Sequence, residues 1–257
     1  MGAALKIISP SIKNVQSLDF SGVFKGKELT RKDRRLPANL PSINTLLSGG
    51  VPRGRISEII GNQSSGRTSL AASFMASATQ KGEVAGLVDF TYSFDPLTMS
   101  QAGIDLSKIL WVHPADFKKT LRAAELILEA GGFGLLVVDW GFENRSLRQS
   151  SALRLARWAE RSGSAVLFLG PHRMCGTFSA LALRLNRNSC LFSRTGGRGP
   201  VLFDGLSIEA ILARNKLGAT GGRAQWHATI DTFPSCDTAE PGESPQAAGY
   251  QNTGYQN

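Results

Sequence analysis

The chain has 257 residues, with a hydrophobic share of 42%, a charged share of 19% and a formal net charge of +9. These values are typical of a folded globular protein with one large domain or two small ones. No apolar run is long enough to span a membrane or resembles a signal peptide, so we expect a cytoplasmic protein without a membrane partner. The basic excess favours an anionic partner, nucleic acid first.

Composition divides the chain into three predicted parts. Residues 1–35 form an N-terminal arm that ends in a basic stretch, which is either a phosphate-contacting segment or a solvated linker. Residues 36–231 form the core domain. Residues 232–257 are rich in Pro, Gly, Ser, Gln and Asn and carry acidic but no basic side chains, which predicts a disordered acidic tail.

The core opens on a strand, a glycine-bounded loop and a helix. Ile56 to Ile60 predict the strand, Gly61 to Thr68 the loop, and residues 67–80 the helix. This order is typical of a P-loop, in which glycines let backbone N–H groups point at a phosphate and the helix adds the positive end of its dipole. The predicted nucleotide-binding residues are Gly61, Ser64, Ser65, Gly66, Arg67, Thr68 and Ser69.

Strands and helices then alternate along the chain. Apolar runs predict strands at 84–89, 109–112, 135–139 and 165–169, and helices begin near Asp95, Asp116 and Ser150. Residues 207–212 and 223–230 are predicted antiparallel edge strands. The alternation predicts an α/β fold with a mainly parallel central sheet flanked by helices and antiparallel strands at the C-terminal edge.

The residues around the P-loop predict ATP and Mg²⁺ as ligands of a degraded site. Thr68 and Asp139, which ends an apolar strand, are the predicted Mg²⁺ ligands. Arg67 stands where the motif has Lys; it can neutralise a phosphate but is a poor match for the charge on a transferring phosphoryl group. Asp89 and Asp95 follow the second strand, but no Glu is there to act as a base. We expect binding with little or no hydrolysis.

The stretch from Ser42 to Leu70 is closely similar to the entry of the RecA family into its P-loop. The resemblance continues at residues 87–89, 94–96, 103–105, 137–139, 173–174 and 214–216, and it covers about 36–231. It implies a RecA-like core, an adenine contact at Asp95, and RecA-like self-association in which Arg214 and Lys216 reach the phosphate of a neighbouring subunit.

The chain departs from the family pattern at the hydrolysis machinery. Thr91 replaces the catalytic Glu, so no catalytic residue is assigned. Thr98 lies near the place of the adenine-stacking aromatic, and Pro171 replaces the γ-phosphate-sensing Gln. Both DNA-binding loops look shortened. Four arginines near the second loop are the predicted contacts with single-stranded DNA: Arg184, Arg187, Arg194 and Arg198.

This combination resembles the short RecA paralogues of the ImuA type. The resemblance implies a DNA-repair accessory protein of the DNA damage (SOS) response and translesion synthesis, with error-prone polymerase components as partners. Two alternatives stay open: a DNA-dependent ATPase or recombinase of RecA type, and a protein-binding cell-division inhibitor similar to SulA.

Overall fold

The computed structural model describes residues 35–194 and 201–229. The predicted basic arm lies outside these residues apart from Arg35, and the predicted acidic tail lies outside them entirely. Among the helices in the described ranges, none combines the length and the hydropathy needed to cross a membrane.

The described elements follow the predicted alternation. The helices are α1 (Pro41–Leu46), α2 (Arg67–Gln80), α3 (Pro96–Gln101), α4 (Phe117–Ala130) and α5 (Gln149–Ser162). The strands are β1 (Arg35–Leu36), β2 (Val51–Pro52), β3 (Ile56–Gly61), β4 (Val84–Asp89), β5 (Ile109–Val112), β6 (Phe133–Asp139), β7 (Ala165–Gly170), β8 (Ser179–Arg194), β9 (Val201–Asn215) and β10 (Arg223–Thr229).

One sheet of eight strands, in the order β10-β9-β8-β3-β7-β6-β4-β5, forms the centre of the molecule. The pairs from β8 to β5 are all parallel. β9 and β10 are added antiparallel at one edge. The predicted fold class is therefore confirmed. β3, which leads into the P-loop, lies inside the sheet between β7 and β8, so both of its edges are paired.

The sheet separates two hydrophobic layers because successive side chains of a strand point to opposite faces. Leu135 and Val137 of β6 face the layer that contains α2, whereas Leu136 and Val138 face the layer that contains α4 and α5. α2 is buried on most of its circumference. Its small and apolar residues occur all round the helix, as expected for a helix enclosed by the core rather than lying on the surface.

Strand β8 is absent from the sequence-based prediction. It runs for 16 residues and pairs with both β3 and β9. Leucines at 181, 183 and 185 face the α2 layer, and this alternation is the signal that could have identified the strand. The prediction for β9 is also too short, because β9 begins at Val201 rather than at residue 207.

Candidate nucleotide-binding site

The turn between β3 and α2 has the backbone geometry of an anion-binding loop. Ser64 and Gly66 have positive φ values of 56° and 87°. Left-handed residues in such a turn let successive N–H groups converge on an anion. Gly66 is the N-cap of α2 and offers no capping side chain. The positive end of the helix therefore faces the loop without a competing side-chain acceptor at the cap.

Two glycines let neighbouring strands approach this turn closely. A Cβ on Gly61 would lie 2.2 Å from Ser65 Oγ and 3.0 Å from the Leu185 carbonyl oxygen. A Cβ on Gly66 would lie 2.3 Å from Cδ1 of Ile208. β8 and β9 thus pack directly against the P-loop. Gly66 is needed both for its left-handed backbone and for this contact.

The side chain of Arg67 reaches the loop that follows β6. Its Nη1 donates a hydrogen bond of 3.0 Å to the Gly141 carbonyl, and its guanidinium carbon lies 4.4 Å from the centre of the Phe142 ring. Arg67 is 7% exposed. Burial lowers its pKa, and the charge of Asp139 opposes that effect. The residue that replaces the motif lysine is therefore engaged by its own chain.

The predicted Mg²⁺ ligands lie on one cavity. Thr68 and Asp139 line it together with Asp89. Asp139 Oδ1 accepts a hydrogen bond of 2.9 Å from the Gly141 amide. Burial raises the pKa of Asp139, against the lowering effects of this hydrogen bond and of Arg67. A hydroxyl and a carboxylate are oxygen ligands of the kind Mg²⁺ takes, so this donor set fits the ion.

The predicted base candidates are already hydrogen-bonded within the chain. Asp89 is 1% exposed; its Oδ1 accepts from the amide and hydroxyl of Thr91, and its Oδ2 accepts from the Phe94 amide. Asp95 is the N-cap of α3 and accepts from the amides of Leu97 and Thr98. Both carboxylates thus shape the loop between β4 and α3. Asp95, the predicted adenine contact, is exposed at that position.

The predicted trans-subunit residues contact their own chain. Arg214 Nε donates a hydrogen bond of 3.0 Å to the Ser179 carbonyl, and Lys216 Nζ donates to the Thr177 carbonyl. Burial and then the charges of nearby arginines lower the pKa of Lys216. Both side chains thus lie at the start of β8, beside the crossover that precedes it.

A buried glutamate holds the crossover between β7 and β8, residues 171–178, against the sheet. Glu58 of β3 is 1% exposed, and its Oε1 accepts from the amides of Met174 and Cys175 at 2.6 and 2.7 Å. Arg173 Nε lies 3.8 Å from Oε2. This carboxylate holds the segment that includes Pro171. The sequence analysis does not single out Glu58, although a glutamate within an apolar strand is a signal of a buried carboxylate.

The predicted DNA-contacting arginines do not form one loop cluster. Arg184 and Arg187 lie within β8, opposite Ile211 and Ile208 of β9. Leu183 and Leu185 face the α2 layer, so alternation places Arg187 on the P-loop face and Arg184 on the other. Both arginines thus lie in a strand rather than in a loop, and their contact with DNA stays a prediction. Arg194 ends β8, and Arg198 lies outside the described residues.

The structure adds Gly141, Phe142 and Ile208 to the site. Gly141 and Phe142 directly follow the strand that ends at Asp139, so their closeness to Asp139 could have been inferred from the sequence. The contact between Ile208 of β9 and the P-loop could not have been inferred, because β8, which lies between β9 and β3 in the sheet, was not predicted.

A central strand of a mainly parallel sheet leads into an anion-binding turn and then into a helix. This arrangement places the protein in the P-loop class of folds.

The comparisons with known proteins narrow this class to RecA-like folds. Residues 35–142 match the family model "RecA N-terminal domain". Protein RecA of Thermus aquaticus is 38% identical over 91 residues, which are 35% of this chain and 27% of that protein. Protein RecA of Chlorobaculum tepidum is 37% identical over 91 residues, which are 35% of this chain and 26% of that protein. The match thus spans about a quarter of each of these relatives.

A solved structure shares the architecture beyond the matched segment. The crystal structure of the RadB recombinase superposes with a TM-score of 0.58 at 21% sequence identity, covering 74% of this chain and 94% of that chain. This likeness concerns the fold. Together with the RecA match at residues 35–142, it supports the RecA-like resemblance.

Proposed function

We propose that this protein is a RecA-type DNA-binding protein whose P-loop binds ATP and hydrolyses it slowly or not at all. The observation that carries the proposal is the Arg67 side chain, which is engaged by Gly141 and Phe142. An arginine held there is not free to follow charge onto a transferring phosphoryl group. Thr91, in the position of the expected glutamate, has its hydroxyl bonded to Asp89.

In this proposal the backbone of the turn cradles the phosphates. The contacts are the predicted set Gly61, Ser64, Ser65, Gly66, Thr68 and Ser69, with Asp95 on the adenine side and Arg67 as a displaceable cation. Thr68 and Asp139 would hold Mg²⁺, which supplies charge neutralisation to phosphate oxygens when bound. With Asp89 and Asp95 already hydrogen-bonded within the chain, we expect the site to bind and orient the nucleotide but not to activate water.

Single-stranded DNA is the proposed polymer ligand. The net charge of +9 provides a general attraction for phosphates. The proposed phosphate contacts are the four arginines predicted from the sequence, three of them in β8 and the fourth Arg198. The sequence similarity to Protein RecA and the likeness in fold to the RadB recombinase motivate this assignment.

The finer role that we propose is an accessory one in DNA damage responses, close to that of ImuA-type proteins in translesion synthesis. It would involve error-prone polymerase components, in the cytoplasm, and self-association through Arg214 and Lys216. The support is the resemblance combined with the engaged Arg67. The residues of the proposed core domain, 36–231, would carry all of these contacts.

A DNA-dependent ATPase or recombinase of RecA type is the second candidate. It is favoured by the RecA and RadB similarity and by Thr68 and Asp139, which still line one cavity. This candidate predicts DNA-stimulated phosphate release, whereas the first candidate predicts none above background.

Fluorescence anisotropy with labelled single-stranded DNA tests the proposed DNA binding. If four phosphate contacts are made, the affinity should fall about 50-fold between about 50 and about 200 mM salt. Replacing Arg184, Arg187 and Arg194 by Gln should reduce that salt effect to about threefold. A matched control neutralises three exposed cations on α4 and α5: Lys118, Arg122 and Arg157. Equal losses in both triple variants would contradict the β8 assignment.

A further inference from the structure

Phe142 is an exposed aromatic residue that lies against the P-loop arginine. It is 52% exposed, whereas Arg67 is 7% exposed. The guanidinium carbon lies 4.4 Å from the ring centre, well within the range of a cation–π interaction. Gly141 precedes Phe142 in the chain, and its carbonyl accepts a hydrogen bond from Nη1 of Arg67. Ring and carbonyl together form a docking site for the guanidinium, which we call the arginine dock (Gly141 and Phe142).

The arginine dock is held in place by its surroundings. Gly141 has a φ of +67°, and a Cβ there would lie 2.2 Å from Cγ2 of Thr91. Its amide donates to Asp139 Oδ1, while its carbonyl accepts from Arg67. The peptide therefore links the end of β6, the loop after β4 and the P-loop. A residue with a side chain would not fit at this position without moving Thr91.

We propose that Phe142 is a positioning residue that sets the phosphate affinity of the site by holding Arg67 in the arginine dock. The inference rests on the proposed nucleotide binding and adds a residue to it. Recruitment of the guanidinium by a phosphate competes with the arginine dock where it moves Arg67 off the ring or takes the Nη1 N–H that Gly141 accepts. Phe142 thus opposes nucleotide binding, and the nucleotide competes with the dock.

This competition predicts that truncating Phe142 strengthens nucleotide binding instead of weakening it. Phe142→Ala removes the ring and leaves only the Gly141 carbonyl to hold Arg67 away from a phosphate. The dissociation constant for ATP should fall about fivefold, which corresponds to ~1 kcal/mol, a typical cation–π contribution. Phe142→Tyr keeps an aromatic face and should leave the affinity unchanged. Because the ring is half-exposed, neither change removes a core side chain.

The test is calorimetric titration of ATP and Mg²⁺ into wild type, Phe142→Ala, Phe142→Tyr, Arg67→Ala and the Arg67→Ala/Phe142→Ala double variant. The inference predicts tighter binding for Phe142→Ala and no effect of the same change in the Arg67→Ala background. Unchanged or weaker binding by Phe142→Ala would overturn it, as would an equal gain in both backgrounds. If no variant binds ATP, the inference also fails. DNA anisotropy on the same samples shows separately whether the DNA-binding proposal survives.

Discussion

Gly66→Ala is a sharp test of how β9 packs on the P-loop. The substitution has two costs that the structure separates. Gly66 has a φ of +87°, in the left-handed region that alanine rarely adopts. The new Cβ would also lie 2.3 Å from Ile208 Cδ1, so that side chain must move. Gly82, with a φ of +83° and no atom within 4 Å of a built Cβ, has the first cost alone.

The expected magnitudes follow from these two terms. A left-handed alanine costs about 1–2 kcal/mol, and overpacking a well-packed contact adds about 1–3 kcal/mol. Gly82→Ala should therefore destabilise by about 1 kcal/mol and Gly66→Ala by about 3 kcal/mol. For a chain of this size the second loss lowers Tm by roughly 6–12 °C.

Urea unfolding followed by tryptophan fluorescence measures both variants. Ile208→Val deletes the clashing Cδ1 and supplies the decisive third comparison. Alone it should cost about 1 kcal/mol, but in the Gly66→Ala background it should cost nothing or restore stability, because it relieves the clash. Equal losses for Gly66→Ala and Gly82→Ala, with additive behaviour in the double variant, would refute the packing of β9 on the P-loop.

Three further outcomes are expected. Glu58→Ala, which leaves two buried crossover amides without their acceptor, should destabilise by about 3 kcal/mol in urea, and Glu58→Gln should cost less because an amide oxygen can still accept. Asp95→Ala should lower the urea midpoint at pH 7. Hydrogen bonds from Thr98 lower the pKa of Asp95, so the stabilisation is present above the unfolded-state pKa and fades as pH falls through the lower folded value; a midpoint loss that persists undiminished at pH 2 would contradict this. In a Cys236→Ser background a thiol reagent should modify exposed Cys190 quickly and Cys175 only after unfolding, since burial and Glu58 raise the pKa of Cys175.

Much of the fold was predictable because local patterns and the final structure agree. Asp95 and Asp116 precede helices and cap them with their carboxylates, as their residue types suggest. The apolar strand that ends at Asp139 lies where the hydrophobic run predicted it. These features depend on neighbouring residues in the chain, and such signals can be read from a single sequence.

The site was less predictable because its decisive contacts join distant segments. Arg67 was recognised as a departure from the P-loop motif, but its partners at residues 141 and 142 follow another strand. The positions of Arg184 and Arg187 depend on the register between β8 and β9, and a shift of one residue exchanges the faces of a strand. Sequence spacing alone predicted that Arg184 and Arg187 lie near a loop, whereas they lie within β8.

The arginine dock explains why the replacement of Lys by Arg matters more than charge conservation suggests. Both residues are cations, but a planar guanidinium can use a ring and a carbonyl that a compact ammonium fits less well. Arg67→Lys should therefore leave the dock and return the cation to the phosphate cradle. Because Thr91 still replaces the glutamate, we expect nucleotide binding to strengthen while hydrolysis stays slow.

Phosphate release from ATP in the presence and absence of saturating single-stranded DNA tests the central claim most directly. DNA binding is monitored by anisotropy in the same samples, and Arg67→Lys is measured beside the wild type. We predict that the wild-type protein binds DNA while phosphate release stays at the background rate with and without it. DNA-stimulated release by the wild-type protein would contradict this prediction and establish the RecA-type ATPase instead.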